Sequence, residues 1–464
     1  MRNGRSRILI VGGGYVGMYT ALRLQKKLSR REAEIIVVDP QPHMTYQPFL
    51  PEAAAGNISP RHVVAPLRKV LRHSTVVTGS VVGVDHERRT AVVRPAAGQP
   101  REIRYDQIVL AAGSISRTLP IPGLKENAVG FKTIGEAIYL RNHVLGQLDA
   151  AASTDDPDER RRALTFVFVG GGYAGIEAMA ELEDMARDAV RYYPELSQSD
   201  MRWVLVEAAQ RILPEVGHEM GAYTVQRLID RGMDLRLNTR LDSCVDGLVK
   251  LSDGEAFEAG TIVWTAGVKA NPVLRHTDFP LDNRGRITAN AQMQVVDATG
   301  AIVPGAWAAG DNAAVPDLAD PDPAATCAPN AQHAVRQATR LGSNIALVIH
   351  GAVPRPYKHK YVGSVASLGL HKGAARLFGL KFKGVVAWFL HRTYHMSRVP
   401  TLNRKIRVIA DWTLALFLKR EVVALGQLHS PRAEFTVAAT PDSLAGMPPA
   451  PRVPEHTREA AVTR

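Results

Sequence analysis

Two cysteines in 464 residues, Cys244 and Cys327, leave no basis for a disulfide framework, and their distance apart argues against a cysteine-built metal centre. A reducing compartment is the natural expectation. The 15 histidines fall into no ligand spacing, so no metal site is expected. Uninterrupted apolar runs of the ~20 residues that a spanning helix needs are missing. No apolar stretch with a cleavage site precedes Arg7-Ile8-Leu9-Ile10-Val11, so export is not expected either. The protein should therefore be soluble or bound to a membrane face. Acidic residues are scarce in one region only. From Arg355 to Arg420 there are 14 Lys or Arg and a single acid, Asp411, so this stretch carries +13 of a net charge of +12 and the remaining residues sum to −1. Such asymmetry suggests a polyanionic partner, a membrane surface or nucleic acid.

What is present is ordinary globular composition, 45% apolar and 22% charged, in a chain with room for two or three domains. The strand at 7–11 runs into Gly12-Gly13-Gly14-Tyr15-Val16-Gly17 and then a helix to about Leu28. A second strand, Ile35 to Val38, ends at Asp39, and a proline-rich loop follows from Pro40 to Pro60. Weaker strand signals lie at 76–84 and 90–94, and strand 107–110 leads to Ala111-Ala112-Gly113-Ser114. The pattern then repeats. Strand 165–169 meets Gly170-Gly171-Gly172-Tyr173-Ala174-Gly175, a helix runs to about Arg187, strand 203–206 ends at Glu207, and strand 261–264 leads to Thr265-Ala266-Gly267. The two glycine turns are 158 residues apart, which reads as an internal duplication.

A pyrophosphate needs close backbone approach and unpaired amide donors, and a glycine turn at a helix N-terminus supplies both. Gly12 allows the tight bend, Gly14 clears space for phosphates, and Gly17 lets the helix pack on the strand. Asp39, 22 residues beyond Gly17, can accept hydrogen bonds from ribose hydroxyls. Gly170, Gly172 and Gly175 repeat these roles with Glu207, 32 residues on, the extra length falling in 188–200. A carboxylate at Glu207 with no arginine before Arg211 favours NADH over NADPH. Two dinucleotide folds in one chain suit a hydride relay, with FAD in one and NADH in the other.

Further segments carry a resemblance to a known family. They are Tyr46-Gln47-Pro48-Phe49-Leu50-Pro51-Glu52, Val109 to Gly113, Gly175-Ile176-Glu177, Val263-Trp264-Thr265-Ala266-Gly267-Val268, Ala309-Gly310-Asp311 and Ala331-Gln332-His333-Ala334. With the glycine turns, they resemble the two-dinucleotide-domain flavoproteins and, among these, the type II NADH dehydrogenases, over about residues 7–425. The resemblance implies that Pro48, Ala112, Gly113, Asp311 and Ala331 border the flavin and Gly267 closes the NADH domain. It also implies that Glu177 and Gln332 shape the acceptor side near a quinone, with Lys372 a basic residue by that pocket. An acid in the first turn of a helix is also stabilised by the dipole alone, and that reading of Glu177 stays open. Two segments depart from the family pattern. Arg336 stands where the AQxAxQ motif has its second glutamine, with Gln337 one place later, and Tyr46-Gln47 replaces the commoner Phe-Thr.

Within the basic region, Arg404 to Arg420 reads as a helix with Arg404, Arg407 and Asp411 as a polar stripe and Ile406, Ile409, Trp412, Leu416 and Phe417 on an apolar face. This is the pattern of a helix lying in a membrane interface. Packing on the core or on a second copy in a homodimer is the alternative. No nucleic-acid reader motif accompanies the charge. His391 and His395 are expected on the basic face, and Cys327 is expected to be a small buried apolar residue. The expected architecture is α/β. An FAD domain is formed by 1–120 and 280–345, an NADH domain by 121–279, and a membrane-associating domain by 346–428, with a disordered tail at 429–464. The corresponding activity is non-pumping transfer of electrons from NADH to a membrane quinone at the cytoplasmic face. A ferredoxin-like or rubredoxin-like acceptor, a small oxidant, or a regulatory flavoprotein of apoptosis-inducing-factor type remains open. Disulfide or sulfide chemistry is disfavoured, because it needs a cysteine pair beside the flavin.

Overall fold

The structure, a computed structural model, describes residues 5–359 and 363–425; the expected tail lies outside them. Strand Ser6–Val11 forms because a run of Ile, Leu and Val is buried on both faces, with Ile8, Leu9 and Ile10 fully inaccessible. It pairs in parallel with Ala33–Asp39 on one side and Gln107–Leu110 on the other. This sheet has eight strands in the order Gln294–Val296, Ile302–Ala308, Gln107–Leu110, Ser6–Val11, Ala33–Asp39, Thr75–Asp85, Thr90–Pro95 and Arg101–Arg104. Helix α1 (Tyr15–Lys27) covers it.

A second, five-stranded sheet is parallel throughout. Its order is Ala128–Gly130, Thr261–Trp264, Thr165–Val169, Arg202–Glu207 and Asp234–Leu237, with helix α2 (Tyr173–Ala189) starting after the second glycine turn. In each sheet the glycine turn leaves a strand flanked by parallel neighbours, at the crevice beyond the strand ends where doubly wound sheets bind ligands. Helix α3 (Ala331–Ile349) packs on α1, with Thr20 donating to Ala338 O at 3.3 Å.

The C-terminal region has a three-stranded antiparallel sheet, Gly363–Ser367, Gly373–Leu377 and Leu380–Lys383, followed by helices α4 (Gly384–Arg398) and α5 (Leu402–Leu414). Thr401 caps α5, its hydroxyl accepting from Arg404 N. The helix ends earlier than the pattern from Arg404 to Arg420 suggests. Asp411 is not part of an outward polar stripe: it turns inward, accepting from Ser59 N at 3.0 Å and lying 2.5 Å from His62 Nδ1. Nor are His391 and His395 on a basic face. His391 is 1% exposed, packed 4.6 Å ring to ring from His395. The acid that draws it inward, Glu177, is distant in sequence and adjacent only in the fold. Among the described residues, no helix is long and apolar enough to cross a membrane.

Candidate active site

Backbone demands explain the two glycine turns. Gly12 has φ +104°, and a Cβ there would lie 2.3 Å from Ala111 O; at Gly17 it would lie 1.8 Å from Gly12 O. Gly170 (φ +115°) and Gly175 meet the same constraints, the latter 2.0 Å from Gly170 O. Gly14 and Gly172 differ: a Cβ on either would meet no protein atom within 4 Å. Their missing side chains therefore serve something outside the packing. Both occupy the N-cap positions of α1 and α2 without a side-chain cap, leaving amides and dipole to an anion. Asp39 Oδ2 accepts from Gly13 N at 2.6 Å, and Glu207 Oε2 from Gly171 N at 2.5 Å, so each acid is held at the rim of its turn. Burial raises the Asp39 carboxyl above the usual carboxylate range, against the opposing hydrogen bonds from Gly13 and Gln41. These features fit the diphosphate and ribose of a dinucleotide in each sheet.

The late motif closes on the first sheet. Asp311 Oδ2 accepts from Ser114 Oγ at 2.6 Å, and Lys132 Nζ reaches the same hydroxyl at 2.7 Å. Burial pulls the Lys132 ammonium below the ordinary lysine value, against the charges of Asp311 and Glu136. Gly113 N donates to Asn312 Oδ1 at 3.0 Å, and Ala112 O accepts from Asn271 at 3.3 Å. Gln337, the displaced glutamine, accepts from Gly310 N at 2.7 Å and is 1% exposed. It fastens the late motif, while Arg336 takes the outward position, its Nη1 donating to Gln332 O at 3.1 Å.

A cavity of about 350 Å³ opens where these pieces meet. Of the residues singled out in the sequence, Pro48, Glu177, Gly267, Ala331 and Gln332 line it. Tyr15, Tyr46, Lys132, Arg336 and His395 also line it without having been picked out as site residues. Lys372 is not brought to this cavity; its ammonium is 3.2 Å from Asp184 and the side chain is 46% exposed. Neither cysteine lines the cavity, and both are buried and free.

Behind the cavity lies a buried polar cluster. Glu177, Glu181 and Asp184 follow one face of α2 at spacings of four and three, a signal in the sequence for a charged face that proves to be buried. Glu177 Oε1 accepts from Ser367 N at 2.8 Å and lies 3.2 Å from His391 Nε2. Glu181 is fully buried, accepting from Ser367 Oγ at 2.8 Å and Asn57 Nδ2 at 2.9 Å. Glu52 pairs with Arg392 at 2.9 Å and accepts from Trp412 Nε1 at 2.8 Å. Tyr46 OH and His395 Nδ1 are 3.1 Å apart at the cavity wall. Burial, then the charges of Glu52 and Asp184, push the Glu181 carboxyl up to about 7. Burial pulls His391 down, but the close Glu177 carboxylate, with the charges of Glu52 and Glu181, leaves it raised. His395 is held well below the ordinary value by burial and by His391. The arrangement juxtaposes a raised acid, a raised imidazole and a depressed one beside the cavity, so these groups titrate as one coupled set.

The chain is 28% identical over 431 residues to the type II NADH:quinone oxidoreductase of Mycobacterium tuberculosis, covering 90% of this chain and 89% of that protein. It is also 28% identical over 397 residues to the type II NADH:quinone oxidoreductase of Staphylococcus aureus, covering 84% and 94% respectively. The structure of NDH2 from Plasmodium falciparum in complex with NADH superposes with a TM-score of 0.82 at 16% identity, over 90% of this chain and 100% of that one. Residues 6–338, which span both glycine turns, the late Gly310-Asp311 motif and the start of α3, match the family model of pyridine nucleotide-disulphide oxidoreductases, and the chain belongs to that family.

Proposed function

We propose that this protein is a flavin-dependent NADH:quinone oxidoreductase that works at a membrane surface. The observation that carries the reading is the pairing of two open glycine turns with one cavity whose wall is backed by buried, proton-holding side chains. A flavin held there would supply the redox chemistry, accepting hydride from NADH and reducing a quinone by two electrons. The residues of this chain do the rest. Gly12, Gly14 and Gly17 with Asp39 and Asp311 hold the flavin dinucleotide. Gly170, Gly172 and Gly175 with Glu207 hold NADH, and the Glu207 carboxylate repels a 2′-phosphate. Gln332, Arg336, Tyr46 and Glu177 border the acceptor.

Hydride carries one proton, and a quinol needs two. The second must come from the protein or the medium. Glu177 at the cavity wall, with His391 behind it, is placed to deliver that proton, and Glu181 lies beside it, both carboxylates held by Ser367, one through its amide and the other through its hydroxyl. The absence of any cysteine from the cavity argues against a dithiol relay.

Membrane association is supported by α4, α5 and the turn that follows α5. Phe389, Ile406, Leu416 and Phe417 are 60%, 58%, 70% and 81% exposed in the most basic part of the chain. Apolar exposure on this scale beside Lys and Arg suits an anionic lipid interface on the cytoplasmic side. A lipid-facing mouth would let a hydrophobic quinone approach without crossing water.

The test is stopped-flow reoxidation of the NADH-reduced protein by menaquinone and ubiquinone analogues, set against oxygen. A quinone should win by a wide margin. If oxygen is as fast as every quinone, the acceptor is something else.

A further inference from the structure

A second cluster lies outside the cavity, where the loop 317–327 meets the start of α3. A carboxylate oxygen of Asp317, Sγ of Cys327 and a ring nitrogen of His333 lie within 4.8 Å of one another. Asp317 and Cys327 stand at the two ends of that loop, which is pinned by Asp317 N to Ala325 O at 2.9 Å and Cys327 N to Val315 O at 2.9 Å. His333 is the third residue of α3 and is buried, as is Cys327. Its Nδ1 is 3.0 Å from Tyr357 OH, and Tyr357 is itself fixed by its amide on Ala291 O at 2.7 Å. This contact on Nδ1 orients the ring and leaves Nε2 as the nitrogen free to take a ligand, the usual support of a metal-bound imidazole. Two residues past Tyr357, His359 sits with its ring 6.0 Å from that of His333. Its Nε2 is shielded from solvent and has no hydrogen-bond partner among the described residues.

We propose that Asp317, Cys327 and His333, closed by His359, bind a divalent cation of the zinc class. Thiolate, imidazole and carboxylate together are the donor set of a tetrahedral zinc site, with bonds of about 2.0–2.3 Å. Ligand atoms in such a site are roughly 3.3–3.8 Å apart, so Asp317, Cys327 and His333 need close by only about 1 Å, within reach of side-chain rotation, while His359 stands farther off and must swing in to complete the set. One thiolate, one carboxylate and two neutral imidazoles balance a dication, so the buried site is electrically neutral. The cation would also satisfy the orphaned His359 nitrogen, whose burial without a partner is otherwise costly. It would tie the loop and the 353–359 segment to the end of α3 that presents Gln332 and Arg336 to the cavity. Its role is structural, and it stands apart from the choice of electron acceptor. Sequence spacing does not reveal the set, because the ligands are separated by ten, six and 26 residues and meet only after folding.

The test uses the full flavin-loaded chain, stripped with a chelator and titrated with Zn²⁺ or Co²⁺. One equivalent should bind. The cobalt form should show a thiolate charge-transfer band and the ligand-field bands of a tetrahedral site in the red, beyond flavin absorption. Cys327→Ser should abolish the charge-transfer band and weaken Zn²⁺ binding at least about tenfold, whereas Cys244→Ser should change neither. His333→Ala and His359→Ala should each weaken Zn²⁺ binding by a similar factor, with the thiolate band retained in the second. Because a buried variant can fail to fold, the unmodified chain provides an independent readout: Zn²⁺ should raise its Tm, and EDTA should reverse the rise. No thiolate–cobalt band in the unmodified chain, or no Tm response to Zn²⁺, would overturn the proposal. A His359→Ala variant with unchanged affinity would remove the closing ligand and refute the four-ligand site.

Discussion

Two glycines in one turn predict opposite mutant phenotypes. At Gly17 an added methyl would collide with Gly12 O, so Gly17→Ala must push α1 off its strand. Overpacking of this kind costs about 1–3 kcal/mol, and the purified variant is expected to lose Tm and yellow colour together. At Gly14 the methyl meets no protein atom. Gly14→Ala should keep the Tm of the flavin-free chain and lose only affinity, by about tenfold or more in an FAD titration. A Gly14→Ala protein that bound FAD as tightly as the parent would mean that the dinucleotide does not lie there. Glu181 makes a different prediction. Its folded carboxyl is raised from 4.5 to about 7, so between these values the native state keeps a proton that the unfolded chain has released. Stability therefore falls as pH rises through that window and stays lower above it. Glu181→Gln, which cannot ionise, should flatten this part of the Tm–pH profile and be the more stable form above it. Differential scanning fluorimetry across the window checks the sign.

At the scale of elements, α2 is a helix whose acidic face is buried and α5 is one whose apolar face is exposed. The first is stabilised by partners from other segments: His391 and Ser367 meet Glu177, Ser367 and Asn57 meet Glu181, and Arg231 pairs with both Glu183 and Asp184. Acids so deeply buried are tolerable only when paired or protonated. The second is fastened to the body by Asp411 and Trp412 while Ile406 and Ile409 face out. Replacing Phe389 and Phe417 by Asp should cut co-sedimentation with anionic vesicles at least about tenfold, from lost apolar burial and added negative charge. Turnover with a water-soluble quinone should persist, because neither residue lines the cavity. Asp411→Ala, which frees Ser59 N and His62 together, should cost about 1–3 kcal/mol and raise amide exchange in α5 first.

Across the whole molecule, two duplicated sheets share one cavity, so ligand binding and folding are coupled. A dinucleotide that binds only the folded chain stabilises it by about 2.7 kcal/mol at a hundredfold excess over Kd. FAD, and NADH added after it, should therefore each raise Tm, with NADPH doing less because of Glu207. Equal shifts from NADH and NADPH would remove the selectivity assigned to that carboxylate.

The amino-acid sequence by itself determined the two strand–glycine–helix units, their terminal acids Asp39 and Glu207, and the basic, apolar C-terminal stretch. These are written in neighbouring residues, through turn chemistry, the alternation of apolar runs and the balance of charge. Only the tertiary structure decided that His391 faces Glu177 rather than solvent, that Asp411 turns inward, that Lys372 stays outside the cavity, and that Lys132 and Arg336 enter. The physical reason is that a side chain's burial and partner depend on which surfaces meet across hundreds of residues, and no local period records that meeting.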